Sequence, residues 1–255
     1  MPTFPIELFD FAFIKEFDER LKELKNLAET ENWDYQFTKS EKLNPVLYSY
    51  IRYTYARLSE EEKIVLSKDG QNTVFNTGLV TNNQEPIYAL FSKNRNTDKQ
   101  NWFFSKWVRK GERDLLQFDS LPEMAHYFDK PVHLVYDCQK DLRTNIEHII
   151  ADNKERFPLP YADMEDYALQ NILNGSIHNA VERVRRNYKA AIPQYHRNRI
   201  QLLLPLCLSN AQKADLALVA EDHGTFYRAS TCLTLDMAYN NARQLARPDR
   251  DWLQP

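Results

Sequence analysis

An α+β fold with predominantly antiparallel strands, an N-terminal helical layer and further packed helices is predicted by three observations. Apolar residues recur at steps of three and four near the N-terminus. From residue 73 they gather into short runs bounded by polar turns. The connections between the later runs are too short for a parallel crossover. The chain has 255 residues, room for one large domain or two small ones. Residues 1–66 are predicted as the helical layer and 67–255 as the α+β body, together one continuous compact domain.

The first helix is expected over residues 6–30, where Phe13, Phe17, Leu21, Leu24 and Leu27 form one face. A second spans 45–58, with Pro45 in its first turn, where a missing N–H costs least. Two strands, 73–81 and 86–92, flank the polar turn 82–85 and predict a hairpin. Trp102, Phe103, Phe104 and Trp107 supply a third strand. Gly78 marks a bulge or a close backbone approach, and such a bulge would turn Asn76 and Thr77 toward a ligand. A short helix over 121–128, a short buried strand over 132–136, and helices over 141–151 and 161–173 complete the middle of the chain.

Residues 174–208 join the most basic helix to the most apolar strand. Arg183, Arg185, Arg186, Lys189, Arg197 and Arg199 face the single acid Glu182 between 174 and 199. Asn174, Gly175 and Ser176 offer N-cap chemistry for a helix ending near Ala191, before Pro193. The strand 200–208 contains Pro205, which cannot donate to a ladder and belongs at an edge or bulge. Strands over 214–220 and 226–233 follow, then a helix over 235–246.

The chain carries a net charge of -3, yet residues 174–255 hold eleven basic and seven acidic side chains. A basic third on an acidic body points to a phosphate-rich partner. No GxGxxG, GxxxxGKS or HExxH pattern occurs. The six histidines, taken singly, read as satisfied surface or core residues. Cys138, Cys207 and Cys232 show no CxxC spacing, and the N-terminus lacks a leader pattern, so a cytoplasmic, non-membrane protein is expected.

Arg183, Arg186, Lys189 and Arg243 are the phosphate candidates, since guanidinium forks grip phosphate in two places. Tyr188 and Tyr195 could stack bases, and Gln194 and Asn240 are further binding candidates. Asp215, at the start of a strand, and Asp236, at the start of the last helix, are the catalytic candidates. Placed beside the arginines, they could hold a divalent metal; no other cofactor is expected.

The segments NTGL at 76–79, RVRRNYKAAIPQY at 183–195, IQLLLPLCL at 200–208 and TCLTLDMAYNNAR at 231–243 resemble the bacterial domain-of-unknown-function 3825 family. The resemblance covers about residues 8–253. Members can occur beside OST-HTH (LOTUS) domains, regarded as RNA-binding modules, so the resemblance implies an RNA-linked role. The expected function is RNA or nucleotide-phosphate binding, extending to RNA-processing phosphodiester cleavage. The alternatives are a non-catalytic regulatory domain that oligomerises through the 200–208 edge, and an enzyme acting on a small nucleotide.

Overall fold

The structure is a computed structural model that describes residues 4–96, 98–248 and 252–253. Its contacts divide the chain into two units. One comprises Met1–Tyr35 with Lys39–His126, the other Gln36–Thr38 with Tyr127–Pro255.

The first unit contains α1 (Leu8–Phe11), β1 (Ala12–Phe13), α2 (Phe17–Leu27), α3 (Pro45–Glu60), β2 (Val65–Leu66), β3 (Asn72–Val80), β4 (Pro86–Lys93) and β5 (Trp102–Arg109). The sheet order is β1-β5-β4-β3-β2, antiparallel except where β1 joins β5. The helix expected over 6–30 is therefore interrupted. Phe11 is buried with its ring 4.9 Å from Tyr55, 5.1 Å from Phe91 and 6.2 Å from Trp102, and Ala12 and Phe13 add a short strand to the sheet edge. Tertiary packing overrides a helical period here.

α3 begins at Pro45 as expected and buries Leu47, Ile51, Tyr55 and Leu58, with Tyr55 edge-on to Phe75 of β3. The β3–β4 hairpin is present, and its register shifts between Asn76 and Val80. Gly78 has φ +72, and a Cβ there would lie 2.6 Å from the Tyr50 hydroxyl. It is both a bulge and a close approach. The helix expected over 121–128 does not form. The backbone groups it would have paired internally go elsewhere: Pro122 O to Asn76, Met124 O to Lys63, and His126 N to Glu61.

The second unit contains β6 (Asp141–Thr144), α4 (Ile146–Asn153), α5 (Asp166–Arg186), β7 (Ile192–His196), β8 (Arg199–Leu206), β9 (Leu216–Asp222), β10 (Phe226–Ala229), β11 (Cys232–Leu233) and α6 (Leu235–Arg243). Its main sheet runs β6-β10-β9-β8-β7, with β11 also on β9; β6 and β10 are parallel and the other pairs antiparallel. One face carries Leu202, Leu204, Leu206, Leu218, Ala220 and Tyr227, packed with Ile149 and Ile150 of α4 and Leu169, Leu173, Ala180 and Val184 of α5. Because strand side chains alternate, the intervening residues form the opposite face.

Several expectations change in this unit. The strand expected over 132–136 is a 3-10 turn at Pro131–Leu134 with Val132 exposed. The helix expected from 141 starts at Ile146, capped by Asn145, because 141–144 pair with β10. No break occurs at Asn174–Ser176: α5 runs through Gly175, and Ser176 donates to the carbonyl of Cys207 instead of capping. The helix ends at Arg186, and Pro193 sits inside β7, an edge strand where its missing N–H is tolerated. The strand expected at an edge, β8, is an interior one between β9 and β7; Pro205 is tolerated because it pairs only with Ala217, past the last β7 partner at Leu203.

Candidate functional site

The residues singled out from sequence are mostly engaged in holding the fold. Asp236 is buried and accepts four hydrogen bonds, from the backbone of Gln36, Phe37 and Thr38 and from the Thr38 hydroxyl. Asp215 accepts from the backbone N–H groups of Leu208 and Ser209. The two carboxylates share no partner in these bonds. Among the described residues no group of three or more His, Cys, Asp and Glu could hold a metal ion.

Arg183 donates to the Ala211 carbonyl and lies 3.7 Å from Cys207 Sγ. Burial raises the Cys207 thiol pKa, and Arg183 opposes that. Arg186, Tyr188 and Lys189 are exposed at the end of α5, but they precede β7, whose far end carries His196. Arg243 is buried on α6, which also carries Asn240. Asn76 and Thr77 are buried rather than presented. Asn76 donates to Pro122 O and accepts from Gly78 N, while Thr77 donates to Ile87 O and accepts from Leu79 N. Tyr195 is buried, its ring 4.8 Å from that of Tyr127.

Gln194 leads to a different site. It is 1% exposed and belongs to a row of polar side chains across the sheet face opposite the α5 core. Asn241 Nδ2 donates to Gln194 Oε1 at 3.1 Å, Gln194 Nε2 to Gln201 Oε1 at 2.7 Å, and Gln201 Nε2 to Glu221 Oε1 at 2.7 Å. The direction is forced, because a carboxylate only accepts and each amide must then turn its oxygen to the next donor. The chain of dipoles thus ends on Glu221 and stabilises its negative charge. Glu221 stands opposite Arg228 on β10, and Arg228 opposite Arg143 on β6.

The exposed end of this face collects further chemistry. His196 pairs with Arg199 across a two-residue turn, where Arg197 and Asn198 have φ +49 and +61, the left-handed pair that tight hairpins favour. His223 Nε2 lies 3.8 Å from Glu221 Oε2. The His223 ring stacks on Phe226 at 5.3 Å and 6°, and the Arg143 guanidinium lies 3.9 Å from the same Phe226 ring. His196 is held below its ordinary pKa by burial and by Arg197, against the opposing charge of Glu221. Arg199 and Arg228 are exposed and carry no ion pair among the described residues.

Neither Glu221 nor the two histidines stand out in the sequence as a motif. What marks them is register: Gln194 with His196, Arg199 with Gln201, and Phe226 with Arg228 are each two residues apart on their strands, on one face. That pattern becomes visible only once the β7–β8 turn and the end of β9 are located.

Two mixed sheets with packed helices define an α+β protein whose C-terminal sheet bears a cationic, amide-anchored polar face. A family model described as Domain of unknown function (DUF3825) matches residues 24–252, and the chain belongs to that family. No curated protein matches the chain, and no solved structure matches it. Among the described residues no helix is long and apolar enough to cross a membrane.

Proposed function

We propose that the protein binds single-stranded RNA on the outer face of its C-terminal sheet. The observation that supports this reading is the direct pairing of Arg143 with Arg228 across β6 and β10. Like charges opposite one another in a sheet are unfavourable, and a phosphate between two guanidinium groups turns that repulsion into attraction. Arg197 and Arg199 extend the field, and Glu221 and Asp141 oppose it on this face. The Arg143–Phe226–His223 stack offers planar groups against which an unpaired base can lie.

The test is fluorescence anisotropy with a labelled single-stranded RNA at two salt concentrations. Affinity should fall as salt rises, and Arg143→Ala with Arg228→Ala should weaken binding by about tenfold or more and reduce the slope of log affinity on log salt by ~1 to 2. Binding that ignores salt, or that the double variant leaves unchanged, would refute the reading. Tight binding of a mononucleotide in place of RNA would assign the face to the small-nucleotide alternative.

A further inference from the structure

We infer that the same face cleaves RNA by acid–base transphosphorylation, with His196 as the base, His223 as the acid and Glu221 as the group that positions His223. This rests on the RNA-binding reading and adds a reaction to it.

Geometry carries the assignment. His196 closes β7, and His223 follows the last residue of β9, with β8 between these strands. Two strand spacings of ~4.8 Å separate those backbones, a gap that a phosphodiester can bridge between His196 and the His223 ring, which rests on Phe226 of β10. Glu221 acts on both rings: its Oε2 is 3.8 Å from His223 Nε2, and its charge is felt at His196. Glu221 Oε1 is tied down by Gln201, itself held by Gln194 and Asn241. A three-amide chain with Gln194 and Gln201 buried is a costly way to hold an ordinary surface carboxylate. It suits one that must fix an imidazole, as a carboxylate does when it sets the nitrogen a histidine offers to a substrate. Arg199 and Arg228 then lie ready for the charge that builds on the phosphorus oxygens.

The step balances without an outside reagent. His196 takes the proton of a ribose 2′-hydroxyl, whose oxygen attacks the adjacent phosphorus. The bond from phosphorus to the 5′-oxygen breaks, and that oxygen takes a proton from the His223 imidazolium. The products are a 2′,3′-cyclic phosphate and a 5′-hydroxyl. Proton exchange with water restores both rings.

The experiment compares an all-ribose RNA with the same strand carrying one 2′-O-methyl residue at the cut position, in buffer containing EDTA, with products identified by mass. Cleavage to cyclic phosphate and 5′-hydroxyl ends, abolished by the 2′-O-methyl group, is expected. His196→Ala and His223→Ala should each slow it by roughly a hundredfold or more, while His196→Ala binds the methylated strand within about threefold of the parent protein. Glu221→Gln should slow the reaction, with a changed pH profile. Binding without cleavage, 5′-phosphate products, or undiminished cutting by the double histidine variant overturns the catalytic assignment alone. Failure of the parent protein to bind the methylated strand overturns the binding reading beneath it.

Discussion

Thr38 meets one oxygen of Asp236 twice: its backbone N–H and its hydroxyl both donate to Oδ2, at 2.8 and 2.6 Å. Gln36 and Phe37 donate to the same carboxylate, so a residue that sequence offers as a catalyst is an anchor for a chain segment. Asp236→Ala should destabilise the protein by ~2–4 kcal/mol, because several donors lose a charged acceptor at once. Thr38→Ala should cost about 1 kcal/mol. Urea unfolding measures both, and a neutral Asp236→Ala would remove the anchoring role.

Gly78 and Tyr50 test the bulge. Gly78→Ala adds a Cβ 2.6 Å from the Tyr50 hydroxyl and also places alanine at φ +72. The left-handed backbone alone costs roughly 1 kcal/mol, and the collision adds to it. In a Tyr50→Phe background the alanine should cost less than in the parent protein. Equal penalties in the two backgrounds would show that only the backbone angle matters.

The amide row makes a non-additive prediction. Gln194→Leu leaves Gln201 Oε1 without its donor and Asn241 without its acceptor, at about 1–3 kcal/mol. Gln201→Leu frees the Glu221 carboxylate from its amide clamp. The double variant should cost less than the sum of the two, since it removes partners together. Thermal or chemical denaturation of the three variants decides it.

His196 gives the sign of one pH effect. Burial and Arg197 hold its pKa below the ordinary 6.5, so the unfolded chain binds more protons in the interval just below that value. Stability contributed by this group is intact above about pH 6.5 and is lost as pH falls from there through the native pKa. His196→Gln should therefore show a smaller drop in Tm between about pH 7.5 and about pH 5.5. An equal drop would mean that other groups govern the acid limb.

Thiol labelling separates the cysteines. Burial pushes Cys232 up to about 12, while Cys138 and Cys207 are partly exposed. At about pH 8 in the native state Cys232 should be the last to react, and only through unfolding. Early labelling of Cys232 would contradict its burial.

Much of the fold was legible because local signals and tertiary contacts agree. The β3–β4 hairpin, the start of α3 at Pro45 and the strand after the basic helix all follow from turn chemistry and periodicity. Three of the failures have a common cause. At 12–13, 121–128 and 141–144 the backbone finds partners far along the chain, which local patterns cannot express.

The sequence by itself determined the α+β class, the family and the cationic bias of the C-terminal third, because composition and periodicity act locally. Only the tertiary structure decided which charges are at work. It placed Arg183 on a carbonyl, closed Asp236 with four donors, and buried Asn76 and Thr77 in a bulge. Strand register then aligned Gln194, Gln201, Glu221, Arg228 and Arg143 in one row. Side chains far apart in sequence became neighbours because a strand spacing is shorter than any of the loops that separate them.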